Sequence, residues 1–102
     1  MRRTKVTFDN DKLQVSTEIM RALAHPLRLR ILEFIDRNGK INVNKIYNTL
    51  NLEQSITSQH LKVLRLAGVV KQQKQGKYVL YSIEYDLVDR ASRAVNRFLG
   101  KN

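Results

Sequence analysis

The stretch QSITSQHLKVLRLAGVVKQQKQGKYVLYS, Gln54 to Ser82, contains no acidic residue, although the whole chain carries nine Asp and Glu. It is loaded instead with Ser, Gln, Lys and Tyr. Its first half has the period of a helix running from Gln54 to about Ala67, with Ile56, Leu61 and Leu64 inward and Gly68 as the C-terminal stop. Its second half holds two β-rich runs, VVKQQ and YVLYSI, joined by Lys74-Gln75-Gly76-Lys77. Glycine in so short a connection reads as a hairpin turn.

On the helix, Gln54, Ser55, Ser58, Gln59 and Lys62 lie away from the apolar stripe at spacings of three and four. They make one polar face without a carboxylate. Gln can hold adenine through two hydrogen bonds, Ser approaches base or phosphate, and Lys supplies charge. An acid here would meet phosphate and weaken binding. The hairpin follows the same logic: Lys71, Lys74 and Lys77 surround the Gly76 turn, within reach of a backbone or minor groove, and Tyr78 adds a phenol for phosphate. The plain alternative for the hairpin is a solvated, lysine-blunted sheet edge.

Upstream, Leu13, Ile19, Met20 and Leu23 suggest a loose helix from Asp11, ending near Ala24 because His25 precedes Pro26. Pro26 opens a second helix with Leu27, Ile31, Phe34 and Ile35 on one face, stopping at Asn38-Gly39. Ile41 and Val43 form a short strand or lead straight into a two-turn helix through Ile46 and Leu50. Downstream, Asp86 suits the start of a last helix, which carries Leu87, Ala91, Ala94, Val95 and Phe98 on one stripe. The expected fold is mainly α with a small β-hairpin, a winged helix-turn-helix of order α-α-α-α-β-β-α. Residues 1–10 are expected to be flexible and 11–100 to form one domain.

At 102 residues the chain makes one domain with a modest core. Nineteen Lys and Arg against those nine acids give a net charge of +10, which favours a polyanionic partner. With no cysteine, disulfides, zinc–thiolate sites and thiol redox sensing are excluded. MRRTKVTFDNDKLQ has a basic start but no apolar segment behind it, against a signal peptide, and no run is long enough for a membrane span. A cytoplasmic location, with DNA as the polyanion and no membrane partner, is expected.

The segments IMRALAHPLRLRIL, LNLEQSITSQHLKVLRLAGVV and GKYVLYSI together resemble the ArsR/SmtB family of bacterial winged-helix transcriptional repressors, over about residues 13 to 99. The resemblance implies a homodimer joined through the first and last helices and bound to an inverted-repeat operator of double-stranded DNA. Its interface would draw on Leu13, Ile19, Met20, Leu87, Ala91, Ala94, Val95 and Phe98. The last-helix stripe has a second use, packing on its own protomer's core. Two-fold symmetry would set the recognition helices about 34 Å apart.

Many members of that family release DNA when metal binds, and here the sequence departs. Asn42-Val43-Asn44 stands where one site type has Cys-x-Cys, and Tyr85, Leu87, Phe98 and Lys101 stand at the ligand positions of the other. None suits a thiophilic metal or zinc. A member that senses no metal is expected, with no cofactor.

His25 and His60 are too far apart in sequence to suggest a metal pair. Capping or packing between the first two helices is the expectation for His25. His60 either meets phosphate or faces a neighbouring helix. Glu53 either serves the helix N-terminus or projects toward DNA. Arg28, Arg30, Arg37 and Lys40 read as a solvated face with optional phosphate contacts. No nucleophile–base arrangement, carboxylate pair or phosphate-binding glycine loop suggests an enzyme. The alternative from another class is a winged-helix interaction module whose basic face docks an acidic protein.

Overall fold

A computed structural model describes residues 10–98, with side chains described over 17–93. Five helices and three strands follow one another as α1 (Asn10–Leu23), α2 (Pro26–Asn38), β1 (Lys40–Asn42), α3 (Val43–Leu50), α4 (Gln54–Leu66), β2 (Val70–Gln75), β3 (Tyr78–Ile83) and α5 (Tyr85–Phe98). The strands form one antiparallel sheet in the order β1-β3-β2. The fold is the winged helix-turn-helix. The expectation for the N-terminal segment falls, up to residue 9, outside the described residues.

Local chemistry sets the boundaries. His25 caps α2: its Nδ1 accepts from the Leu27 N–H at 3.2 Å, and Pro26 takes the first helical position. Ile41 and Val43 divide the two alternatives between them. Ile41 enters β1, whereas Val43 opens α3 behind Asn42, whose Oδ1 accepts from the Lys45 N–H at 2.8 Å. Asn51 then ends α3 in the left-handed conformation, φ 58°, and Leu52 N–H returns to the Tyr47 carbonyl at 2.8 Å. A short polar side chain tolerates that conformation where a branched one would not.

The core gathers Ile31, Leu32, Phe34 and Ile35 of α2 with Ile46, Leu50, Leu61, Leu64, Val69, Val70, Tyr81 and Ile83. The sequence pattern missed Leu32, and Leu27 is only partly buried. One assignment on α4 is corrected. Ile56 is 40% exposed, and the fully buried position of that first turn is Thr57. Thr57 can go inside because its Oγ1 donates to the Glu53 carbonyl at 2.9 Å, so no hydroxyl is stranded. Thr57, Leu61 and Leu64, spaced four and three apart, are therefore the true inward face.

Of the expected dimer contacts, Ile19 and Ala91 are already buried within their own protomer, and Met20 and Leu87 are partly buried there. The last-helix stripe thus packs on its own core at Ala91. Side chains of Leu13, Ala94, Val95 and Phe98 lie outside those described. No helix among the described residues is long and apolar enough to cross a membrane.

Candidate nucleic-acid interface

The turn from α4 into the wing is rigidly closed. Gly68, at φ 83°, donates to the Arg65 carbonyl at 3.0 Å, and Val69 N–H reaches the Leu64 carbonyl at 2.9 Å. This pair of bonds is the Schellman stop, which needs a residue at ease with positive φ. The Glu84 N–H then donates to the Val69 carbonyl at 2.9 Å, tying the far end of the hairpin to the end of α4. The ribbon therefore leaves the body at a defined angle from the helix.

On α4, Gln54, Ser55, Ser58, Gln59 and Lys62 are all exposed. They share the helix surface left over by the Thr57–Leu61–Leu64 face, and no carboxylate interrupts them. Glu53 precedes them as the N-cap residue, but its side chain makes no capping bond. Only its backbone carbonyl is used, accepting from both the N–H and the hydroxyl of Thr57.

Beyond Val70, the whole of β2 from Lys71 to Gln75 is exposed. A strand wet on both faces projects from the core instead of covering it. Gln75 pairs with Tyr78, so the turn is only Gly76-Lys77, tighter than the four-residue connection expected. Gly76 has φ 62° and Lys77 does not have positive φ, the pattern of a type II′ hairpin turn. Lys74 and Lys77 stand exposed at the tip, with the Lys77 Nζ 5.5 Å from the centre of the Tyr78 ring.

Two expected members have other duties. Lys71, at the base of the ribbon, forms an ion pair with Glu84 at 3.1 Å. His60 is partly buried: its Nδ1 accepts from Arg28 Nε–H at 3.2 Å, and its ring centre is 4.7 Å from that of His25. Of the two readings of His60, the geometry supports the one facing a neighbouring helix. Burial first, and then the nearness of His25 and the Arg28 guanidinium, holds its pKa below the ordinary histidine value.

Two arginines of α2, Arg28 and Arg30, are more than a solvated face. Besides meeting His60, Arg28 Nη1 donates to the carbonyls of Arg21 and Ala22 at 3.3 and 3.4 Å, near the end of α1. Arg30 Nη2 donates to the Leu50 carbonyl at 3.2 Å, at the end of α3. Both guanidiniums satisfy carbonyls left open at helix C-termini, where positive charge is favourable. Sequence spacing held no trace of these contacts, because each joins separate elements. Asn42 spends its side-chain oxygen on capping α3, and the Tyr85 hydroxyl donates to Asp36.

Comparison with known proteins agrees with this geometry. Residues 25–72 match the family model described as bacterial regulatory protein, arsR family. The chain is 36% identical over 86 residues to an uncharacterized HTH-type transcriptional regulator of Methanocaldococcus jannaschii, covering 84% of this chain and 97% of that one. It is 34% identical over 84 residues to the transcriptional repressor PagR of Bacillus anthracis, covering 82% and 84%. The crystal structure of PagR superposes with a TM-score of 0.72 at 33% identity, over 86% of this chain and all of that one. A homodimeric winged helix-turn-helix domain of Mycobacterium bovis, an NMR structure, shares the fold at TM-score 0.76 and 22% identity, over 97% and 91%. With the helix-turn-helix, the wing and this degree of identity together, the chain belongs to the ArsR family of DNA-binding transcriptional regulators and is not an enzyme.

Proposed function

We propose that this protein is a sequence-specific repressor that binds an inverted-repeat operator as a homodimer and does not respond to metal. The carrying observation is the exposed, carboxylate-free face of Gln54, Ser55, Ser58, Gln59 and Lys62, linked by the closed Gly68 turn to a lysine-tipped wing. Gln54, Ser55, Ser58 and Gln59 choose the bases, while Lys62, Lys74 and Lys77, with Tyr78, hold phosphate. His60 is left out of the reading set because Arg28 occupies it.

The homodimeric neighbour supports pairing, and α1 and α5 pack on each other in the protomer, giving a joint surface for a second copy. The metal half of the proposal is supported by the commitments of Asn42 and Tyr85 inside the fold.

Selection of bound genomic fragments at rising salt, followed by sequencing, tests the reading. The expected result is a two-fold-symmetric site whose half-sites lie about one helical turn apart. Equal retention of all fragments overturns it in favour of an acidic-protein docking module. A stoichiometric zinc site that weakens DNA binding overturns the metal half.

A further inference from the structure

A groove of about 450 Å³ runs between α2 and α5, on residues that have no part in the DNA face. Leu29, Leu32, Ile83 and Val88 supply its apolar walls, and Leu29 is 46% exposed. Its rim carries Glu33, Asp36 and Asp89. The charge is the unusual part. The chain has nineteen Lys and Arg and nine acids, yet three of those acids and none of those bases line this groove.

None of the three carboxylates has an ion-pair partner among the described residues, where the one such pair is Lys71–Glu84. Nor do they converge on a point. No group of three His, Cys, Asp or Glu among the described residues is placed to hold a metal ion. Asp36 accepts a hydrogen bond from the Tyr85 hydroxyl, which fixes a 48% exposed aromatic ring at the groove's edge.

We propose that this groove binds a small apolar organic cation, such as an aryl-substituted ammonium or phosphonium, and that its occupancy changes affinity for DNA. Apolar walls, a held tyrosine ring and spread carboxylates are the chemistry that recognises a delocalised or shielded positive charge. A metal ion would require convergent oxygens, and a neutral ligand would leave the rim without a counter-charge.

The route to DNA is short. Helix α2 carries one wall of the groove at Leu29, Leu32, Glu33 and Asp36, and the same helix holds α4 through Arg28 and His60. The other wall is α5, with Leu23 of α1 and Ile83 of β3 beside it. A ligand that biases the spacing of α2 and α5 therefore biases the placing of α4. This regulatory half rests on the DNA-binding reading above; the groove itself does not.

Calorimetric titration of the DNA-free protein with methyltriphenylphosphonium, and with neutral triphenylphosphine oxide of nearly the same shape, tests the site. The cation is expected to bind about tenfold or more tightly than the neutral probe. Glu33→Gln with Asp89→Asn, both at exposed positions, should abolish that preference while leaving the circular dichroism spectrum unchanged. Equal binding of the two probes, no binding, or a preference that survives the double substitution overturns the proposal. Cation binding that disappears as the protein is concentrated into dimers assigns the groove to a second copy, and overturns it too.

Gel shifts then show whether the cation moves the DNA affinity of the wild type and not that of the double variant. An unchanged affinity overturns the regulatory half. Failure of the ligand-free protein to prefer any DNA sequence would instead count against the repressor reading, leaving the calorimetric result to stand by itself.

Discussion

Arg28 on α2 donates its Nε–H to Nδ1 of His60 on α4, 3.2 Å away, while its Nη1 reaches back to the carbonyls of Arg21 and Ala22 on α1. One side chain thus joins α4 to the two helices α1 and α2 that precede it. The contact requires His60 to keep Nδ1 free of a proton.

That requirement sets a pH dependence. In the unfolded chain His60 takes up a proton near the ordinary value of 6.5, whereas in the folded protein burial, with His25 and the Arg28 guanidinium close by, holds the pKa lower. Between the two values the unfolded state binds more protons, so stability is fully present above 6.5 and declines as pH falls through the folded pKa. Thermal melts from about pH 7.5 down to about pH 5.5 should show a falling midpoint, and His60→Gln should reduce the fall. An equal fall in the variant would place the proton uptake elsewhere.

The inward face of α4 is tested by a pair of truncations. Leu61→Ala removes a fully buried side chain and should cost about 2–5 kcal/mol. Ile56→Ala acts on a side chain 40% exposed and should cost less than about 1 kcal/mol. Urea denaturation of the two variants measures both. Comparable losses would restore Ile56 to the core.

Substitutions on the DNA face should separate by role. Gln59→Ala should cost about 1–3 kcal/mol at particular base pairs and relax preference there. Lys74→Ala should weaken binding to all duplexes and reduce the salt slope by about one. Lys71→Ala should reduce that slope less, because Glu84 already neutralises Lys71 in the free protein. Binding isotherms on operator and mismatched duplexes over a range of salt check all three.

The two turn glycines should behave alike in sign and differ in degree. Gly68→Ala places a Cβ 3.4 Å from Leu87 Cδ1 at φ 83°, and should destabilise by about 1–2 kcal/mol. Gly76→Asn, at φ 62° with open space around it, should cost only a few tenths of that range, since Asn accepts positive φ. Equilibrium unfolding distinguishes them.

What the sequence determined by itself was periodicity and punctuation. Helical spacing around Ile31, Ile35, Leu61 and Leu64, the Pro26 and Gly68 boundaries, and the glycine hairpin all act over a few residues, so they are written in order along the chain. The carboxylate-free run from Gln54 to Ser82 is equally local, and it marked out the surface proposed above to meet DNA. Tertiary structure decided which of two neighbouring residues, Ile56 or Thr57, turned inward. Helical phase alone permits either, and the choice is made by which side of α4 packs against the other elements. The local bond from the Thr57 hydroxyl to the Glu53 carbonyl only lets Thr57 be buried without a stranded hydroxyl. It also decided the work of Arg28, His60 and Lys71, and the gathering of Glu33, Asp36 and Asp89 around one groove. Their partners lie on other elements, and charge acts through space, so their roles arise only when α2, α4, α5 and the sheet are packed.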